Sequence, residues 1–127
     1  VGKRFPLYCT PGGKVWLAFM PAAESGQILD GIELVRRAPK TLIDRSRLEE
    51  ELAAIRRDGY AVVEEENLPG VSGIGVPVFS SEGGCVASVA LSISSATLTA
   101  TEMKDRLLPL MRAASTDMSQ RLRWRFE

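Results

Sequence analysis

Histidine is absent from the 127 residues. Ser/His/Asp and Cys/His nucleophile systems and most catalytic zinc sites need an imidazole, so those chemistries are excluded. Cysteine occurs only as Cys9 and Cys85, too widely spaced for a metal site and too few for a disulfide framework. A reducing, cytoplasmic setting is expected. Excess charge is missing too: 16 Lys plus Arg balance 16 Asp plus Glu. Without a positive field this segment is not expected to hold nucleic acid or an acidic membrane by itself. The longest apolar run, Val15 to Met20, is far short of the ~20 residues of a membrane helix, and no signal-peptide pattern opens the chain. Neither a membrane partner nor a cofactor is expected.

Repeats, low-complexity tracts and linkers are also lacking, so the chain is read as one domain. Its start, Val1-Gly2-Lys3-Arg4, has no initiator Met and reads as the middle of a loop, which suggests a fragment of a longer protein. What is present is an ordinary globular composition, 45% apolar and 25% charged, able to bury a core.

Thr10 followed by Pro11 predicts an N-cap with proline at the first helical position. Val15, Trp16, Phe19 and Met20 then form the apolar face of a short helix ending before Pro21. Ile28, Leu29, Ile32 and Val35 suggest a second helix, stopped by Pro39. A third is expected from Asp44 or Ser46, with Leu48, Leu52 and Ile55 inward and Gly59 as its stop. Its acidic start and basic end suit the helix dipole. Tyr60 to Val63 reads as a strand, and Glu64-Glu65-Glu66-Asn67 with Leu68-Pro69-Gly70 as a solvated loop. Ile74 to Phe79 and Cys85 to Ile93 predict a hairpin closed by Ser80 to Gly84. Thr99 and Glu102 make a capping box for a long helix with an inward stripe of Met103, Leu107, Leu110, Met111, Ala114, Met118 and Leu122, expected to pack across the sheet. Without βαβ alternation, this order implies an α+β fold with an antiparallel sheet covered by helices.

Two places could carry function. In the hairpin, Ile74, Val76 and Val78 with Val89, Leu91 and Ile93 make a bulky face, expected to be core. Gly73, Gly75, Ala90 and Ser92 gather on the opposite face if Gly73 opposes Ser92 and Gly75 opposes Ala90. That small face suits either a pocket wall or a closely packed helix. The second place is Thr10-Pro11-Gly12-Gly13-Lys14, where free N–H groups at a helix start suit a carboxylate or phosphate. The rest of a P-loop is missing, so nucleotide binding is not expected. Glu64, Glu65 and Glu66 alternate faces along an extended chain and are not read as a metal site. Arg121, Arg123 and Arg125, interleaved with Trp124 and Phe126, are what a helix C-terminus attracts. A thiol nucleophile would need a base and an electropositive setting, which neither cysteine has in sequence, so catalysis is not expected.

The ordered landmarks Phe5-Pro6-Leu7-Tyr8-Cys9-Thr10, Gly13-Lys14, Leu17-Ala18, Thr41, Asp44, Leu48, Gly59-Tyr60-Ala61-Val62, Glu65-Glu66-Asn67, Gly70-Val71, Pro77-Val78-Phe79, Ser92 and Leu98-Thr99 resemble the effector-binding domain of IclR-family bacterial transcriptional regulators over essentially the whole chain. The resemblance implies a GAF-like sensor, truncated at its N-terminal side and non-enzymatic. It would bind a small-molecule effector, an organic acid, and assemble as a homodimer or homotetramer. DNA would be reached only through a winged helix-turn-helix domain absent from this chain.

The resemblance also implies a carboxylate site at Pro11, Gly12 and Gly13, although Pro11 has no N–H to give. Ser92 keeps the polar residue of members that bind small oxo-acids. Val63 stands where they have aspartate, Gly73 where they have cysteine and Ala90 where they have serine. The expected ligand is therefore larger and more apolar than glyoxylate or pyruvate, and aromatic acids are candidates. An assembly module with a vestigial pocket is the alternative, and a thiol redox sensor at Cys9 a third reading.

Overall fold

The computed structural model describes residues 6–126, with side chains as far as residue 122. Val1 to Phe5 and the side chains of Arg123, Trp124, Arg125 and Phe126 therefore lie outside the described residues. The elements run α1 (Pro11–Phe19), α2 (Ala22–Asp30), α3 (Arg45–Asp58), β1 (Ala61–Glu64), β2 (Val71–Phe79), β3 (Cys85–Ser94) and α4 (Ala100–Phe126). The strands form one antiparallel sheet in the order β1-β2-β3. Helix α1 packs on one face, with α3 behind it, and α4 crosses the other along β2. The α+β class is as expected.

Local chemistry explains most boundaries. Thr10 caps α1 by accepting the Gly13 N–H, with Pro11 in the first turn. Asp44 caps α3, and Gly59, at φ 82°, ends it in the left-handed conformation that a Cβ disfavours. Thr99 and Glu102 exchange the two bonds of a capping box ahead of α4. On α3, Leu48, Leu52 and Ile55 are the buried positions, as their spacing predicts.

Helix α2 is shorter than expected. It stops at Asp30 instead of continuing through Ile32 and Val35 to Pro39. Gly31 closes it by donating to Gln27 and Ile28 carbonyls, and tertiary bonds then replace helical ones. The Tyr8 hydroxyl donates to the Val35 carbonyl at 2.8 Å and accepts the Val35 N–H at 3.2 Å. The Thr41 hydroxyl likewise accepts the N–H groups of Arg37 and Ala38.

The inward face of α1 also differs, because Trp16 is exposed while Lys14, Val15, Leu17 and Ala18 are buried. On α4 the inward row is Met103, Leu107, Met111, Ser115 and Ser119, joined by Leu108, while Leu110, Ala114 and Met118 face outward. Two serines complete that row because their hydroxyls donate to the Pro77 and Phe79 carbonyls of β2. The bulky sheet face is core on β2, where Ile74, Val76 and Val78 are buried. It is not core at Leu91, which is 44% exposed, because α4 runs along β2 and only touches edge strand β3.

Candidate ligand cavity

The hairpin meets the condition set from sequence, since Gly73 opposes Ser92 and Gly75 opposes Ala90; on the other side Val63 opposes Gly73. Side chains opposite one another share a face, so Val63, Gly73, Ala90 and Ser92 all lie on the α1 side of the sheet. The small residues there serve both purposes weighed from sequence. A Cβ on Gly73 would lie 2.8 Å from the Pro11 ring, and one on Gly75 would lie 3.0 Å from the Pro11 carbonyl group. Pro11 therefore presses the start of α1 onto the strand. Gly75 is consumed by this contact and does not reach open space.

Beside that contact lies a cavity of about 550 Å³. Thr10, Pro11, Gly12, Gly13, Val63, Gly73, Ala90 and Ser92 line it, so eight of the nine candidate residues come together and Gly75 alone stays out. Sequence reasoning missed Leu7, Cys9, Asn67, Leu68, Val71 and Ser72 in the lining. Val71 was findable, being two residues before Gly73 on the same face. Asn67 and Leu68 sit on the β1–β2 turn, whose path depends on Glu65 at φ 53° and Gly70 at φ 78°, and no periodicity reports that. Val63 is buried, whereas Ala90 and Ser92 on the edge strand are exposed, so the cavity opens on the β3 side.

The polar groups at the cavity are few. The Thr10 hydroxyl is spent, donating to the Pro6 carbonyl and accepting the Gly13 N–H. The Gly12 N–H has no acceptor among the described residues, and it points along the positive end of the α1 dipole. The Asn67 amide oxygen accepts from Arg37 Nε at 3.0 Å and from Cys9 Sγ at 3.7 Å. Burial pushes the Cys9 thiol up to about 11, against the opposing pull of the Arg37 charge. The thiol is therefore protonated at neutral pH and is neither a nucleophile nor a ready target of oxidants.

The acidic triplet is not the solvated loop expected. Glu64 ends β1, Glu65 pairs with Lys40 at the surface, and Glu66 is buried. Its carboxylate takes a bond from Lys14 Nζ at 2.6 Å and another from the Leu42 N–H at 3.1 Å. Lys14 also reaches Glu51 on α3 at 2.5 Å. This clamp fixes α1, and with it the cavity's helix start, against α3 and the β1–β2 turn. Among the described residues no group of His, Cys, Asp and Glu could hold a metal ion, and no helix is long and apolar enough to cross a membrane.

A sheet between helices with an apolar cavity at one helix start has the architecture of an effector-binding domain. A family model described as bacterial transcriptional regulator IclR C-terminal matches residues 1–120, and the chain belongs to that family. The Pca regulon regulatory protein of Pseudomonas putida is 33% identical over 122 residues, 96% of this chain and 42% of that protein. The C-terminal domain of Escherichia coli KdgR superposes with TM-score 0.88 at 30% identity, covering 97% of this chain and 74% of that one. The inducer-binding domain of Acinetobacter PobR, a double mutant in complex with 3-hydroxybenzoic acid, superposes with TM-score 0.88 at 28% identity, covering 94% of this chain and 70% of that one. These relatives are transcriptional regulators, a non-enzymatic family. The chain spans less than half the length of the first of these, the curated Pseudomonas relative.

Proposed function

We propose that the cavity is the effector site of a transcriptional regulator. It would bind an organic acid larger and more apolar than glyoxylate or pyruvate and thereby modulate DNA binding by a separate N-terminal domain. The observation that carries this is the convergence of one unspent helix-start N–H, at Gly12, with a largely apolar wall that includes Leu7, Val63, Leu68 and Val71. An anion is favoured at the first, and a hydrocarbon or aromatic body at the second. A polar ligand group facing Val63 and Ala90 would lose its water without gaining bonds, at about 1–3 kcal/mol per group. PobR's complex with an aromatic hydroxy acid supports the same ligand class here.

A thermal-shift screen of short oxo-acids, aliphatic acids and benzoates tests it, with Gly12→Asp as the control. The added carboxylate puts negative charge at the helix start, and its Cβ would meet the rotatable Ser88 hydroxyl at 3.2 Å and Ala90 Cβ at an ordinary 3.8 Å. Stabilisation by apolar or aromatic acids, abolished in the variant, is expected. Tight binding of a two- or three-carbon oxo-acid, with no preference for an aromatic acid, would overturn the ligand class.

The exposed row of Leu110, Ala114 and Met118 on α4 favours a second role in homodimer or homotetramer assembly. If assembly were the only role, no acid would shift the melting temperature, and melting would depend on protein concentration alone.

A further inference from the structure

We propose that Asn67 is the specificity-determining side chain of this cavity: its amide NH2, with Arg37 behind it, completes the carboxylate site begun by the Gly12 N–H. This rests on the effector reading above. A carboxylate has about four acceptor positions, and the helix start supplies one unspent backbone donor, because Pro11 has none and Gly13 is taken by Thr10. Another donor is needed, and Asn67 is placed to be it.

The neighbours of Asn67 fix which way its amide faces. Arg37 Nε and Cys9 Sγ–H are both donors, and the pKa of Cys9, about 11, keeps the thiol proton in place. The amide oxygen must therefore face them, and the NH2 faces away with no acceptor among the described residues. Cys9 immediately precedes Thr10, so the oxygen's contact with Cys9 holds the Asn67 amide beside the helix start, in the lining of the same cavity, with its NH2 left free for a ligand. The guanidinium of Arg37 polarises the amide through the shared oxygen, which strengthens the NH2 as a donor. It also adds positive charge at the same end, felt at Cys9. A site built from donors and one cation accepts an ionised carboxylate and disfavours the carboxamide of the same shape, whose own NH2 would meet donors.

Benzoate and benzamide, measured by calorimetry against the chain and its Asn67→Ala, Asn67→Asp and Arg37→Gln variants, test the proposal. Asn67→Asp keeps an oxygen for Arg37 and Cys9 while replacing the donor by an acceptor, so it separates ligand recognition from folding. The unaltered chain is expected to prefer benzoate at least about tenfold. Asn67→Ala should lower that ratio about fivefold or more, Arg37→Gln should lower it less, and Asn67→Asp should bring it to one or below. A benzoate-to-benzamide ratio unchanged in Asn67→Ala, with benzoate still bound, would overturn the role of Asn67 and leave the effector site standing. Failure of benzoate and all other acids to bind the unaltered chain would remove the effector reading, and this inference with it.

Discussion

Lys14 Nζ lies 2.6 Å from Glu66 Oε2, and the lysine side chain is completely buried. Glu66 comes from an acidic triplet expected to be solvated, and Lys14 from a helix start expected to offer its backbone N–H groups to an anion. Their charges are tolerable inside the protein because each is paired and hydrogen-bonded: Lys14 has Glu51 as a second partner, and Glu66 has the Leu42 N–H.

Breaking this clamp by removing one charge should be severe. Lys14→Met leaves Glu66 buried without its cation and should destabilise the fold by about 3–5 kcal/mol. Glu66→Gln leaves Lys14 paired with Glu51 and should cost clearly less. Glu51→Gln should cost least, since the Glu51 side chain is 32% exposed and water can take its place. Chemical denaturation of the three variants checks the order, and a Lys14→Met protein as stable as its parent would show that the clamp contributes nothing.

The two adjacent glycines of α1 should behave oppositely. A Cβ on Gly13 would lie 2.4 Å from the Leu7 carbonyl oxygen and 2.5 Å from Leu7 Cα, both backbone atoms that cannot step aside. Gly13→Ala should therefore destabilise by at least about 2–3 kcal/mol, as overpacking does. At Gly12 the nearest atom is the Ser88 hydroxyl at 3.2 Å, which can rotate. Gly12→Ala should fall within about 1 kcal/mol of the parent, helped by alanine's helix propensity. Melting curves decide, and equal losses at both positions would contradict the geometry.

How much of this was legible before the fold was known depends on the range of the interaction that decides each feature. Thr10, Asp44, Gly59 and the Thr99–Glu102 pair act within one helical turn, and the boundaries they mark were readable. Two-residue alternation grouped Gly73, Ala90 and Ser92 on the condition that Gly73 opposes Ser92, and that register is reached through a shift between Val78 and Phe79 that neither the turn nor the alternation announces. What failed was set by distant partners. Periodicity alone carried α2 past Gly31, because nothing local announces that Tyr8 will bond Val35. It chose Ala114 and Met118 as inward positions over Ser115 and Ser119, because the carbonyls those serines satisfy belong to β2. Glu66 looked solvated because its cation lies 52 residues away. In the cavity, the helix-start residues and Val63, Gly73, Ala90 and Ser92 of the strands could be named, Val71 and Ser72 of β2 were overlooked, and Asn67 depended on a turn with left-handed residues at both ends.

Alkaline pH should expose the burial of Cys9. The thiol is raised from 9.0 to about 11, mainly by desolvation, so the folded chain holds its proton more tightly than the unfolded chain does. The stabilisation this gives is complete below pH 9 and declines as pH rises through 11. About 2–3 kcal/mol should be lost across that window. Lysines and tyrosines titrate there as well, so the quantity to measure is the difference from Cys9→Ala. That variant loses stability at neutral pH through the small cavity it leaves, but its curve should fall less steeply between pH 9 and 11, and the two should converge. Burial also predicts that a thiol reagent such as iodoacetamide modifies Cys85, which is half-buried although desolvation raises its thiol too, well before the fully buried Cys9 at about pH 8. Equal alkylation rates at the two cysteines in the folded protein, or parallel pH curves for parent and variant, would contradict a sealed, protonated Cys9.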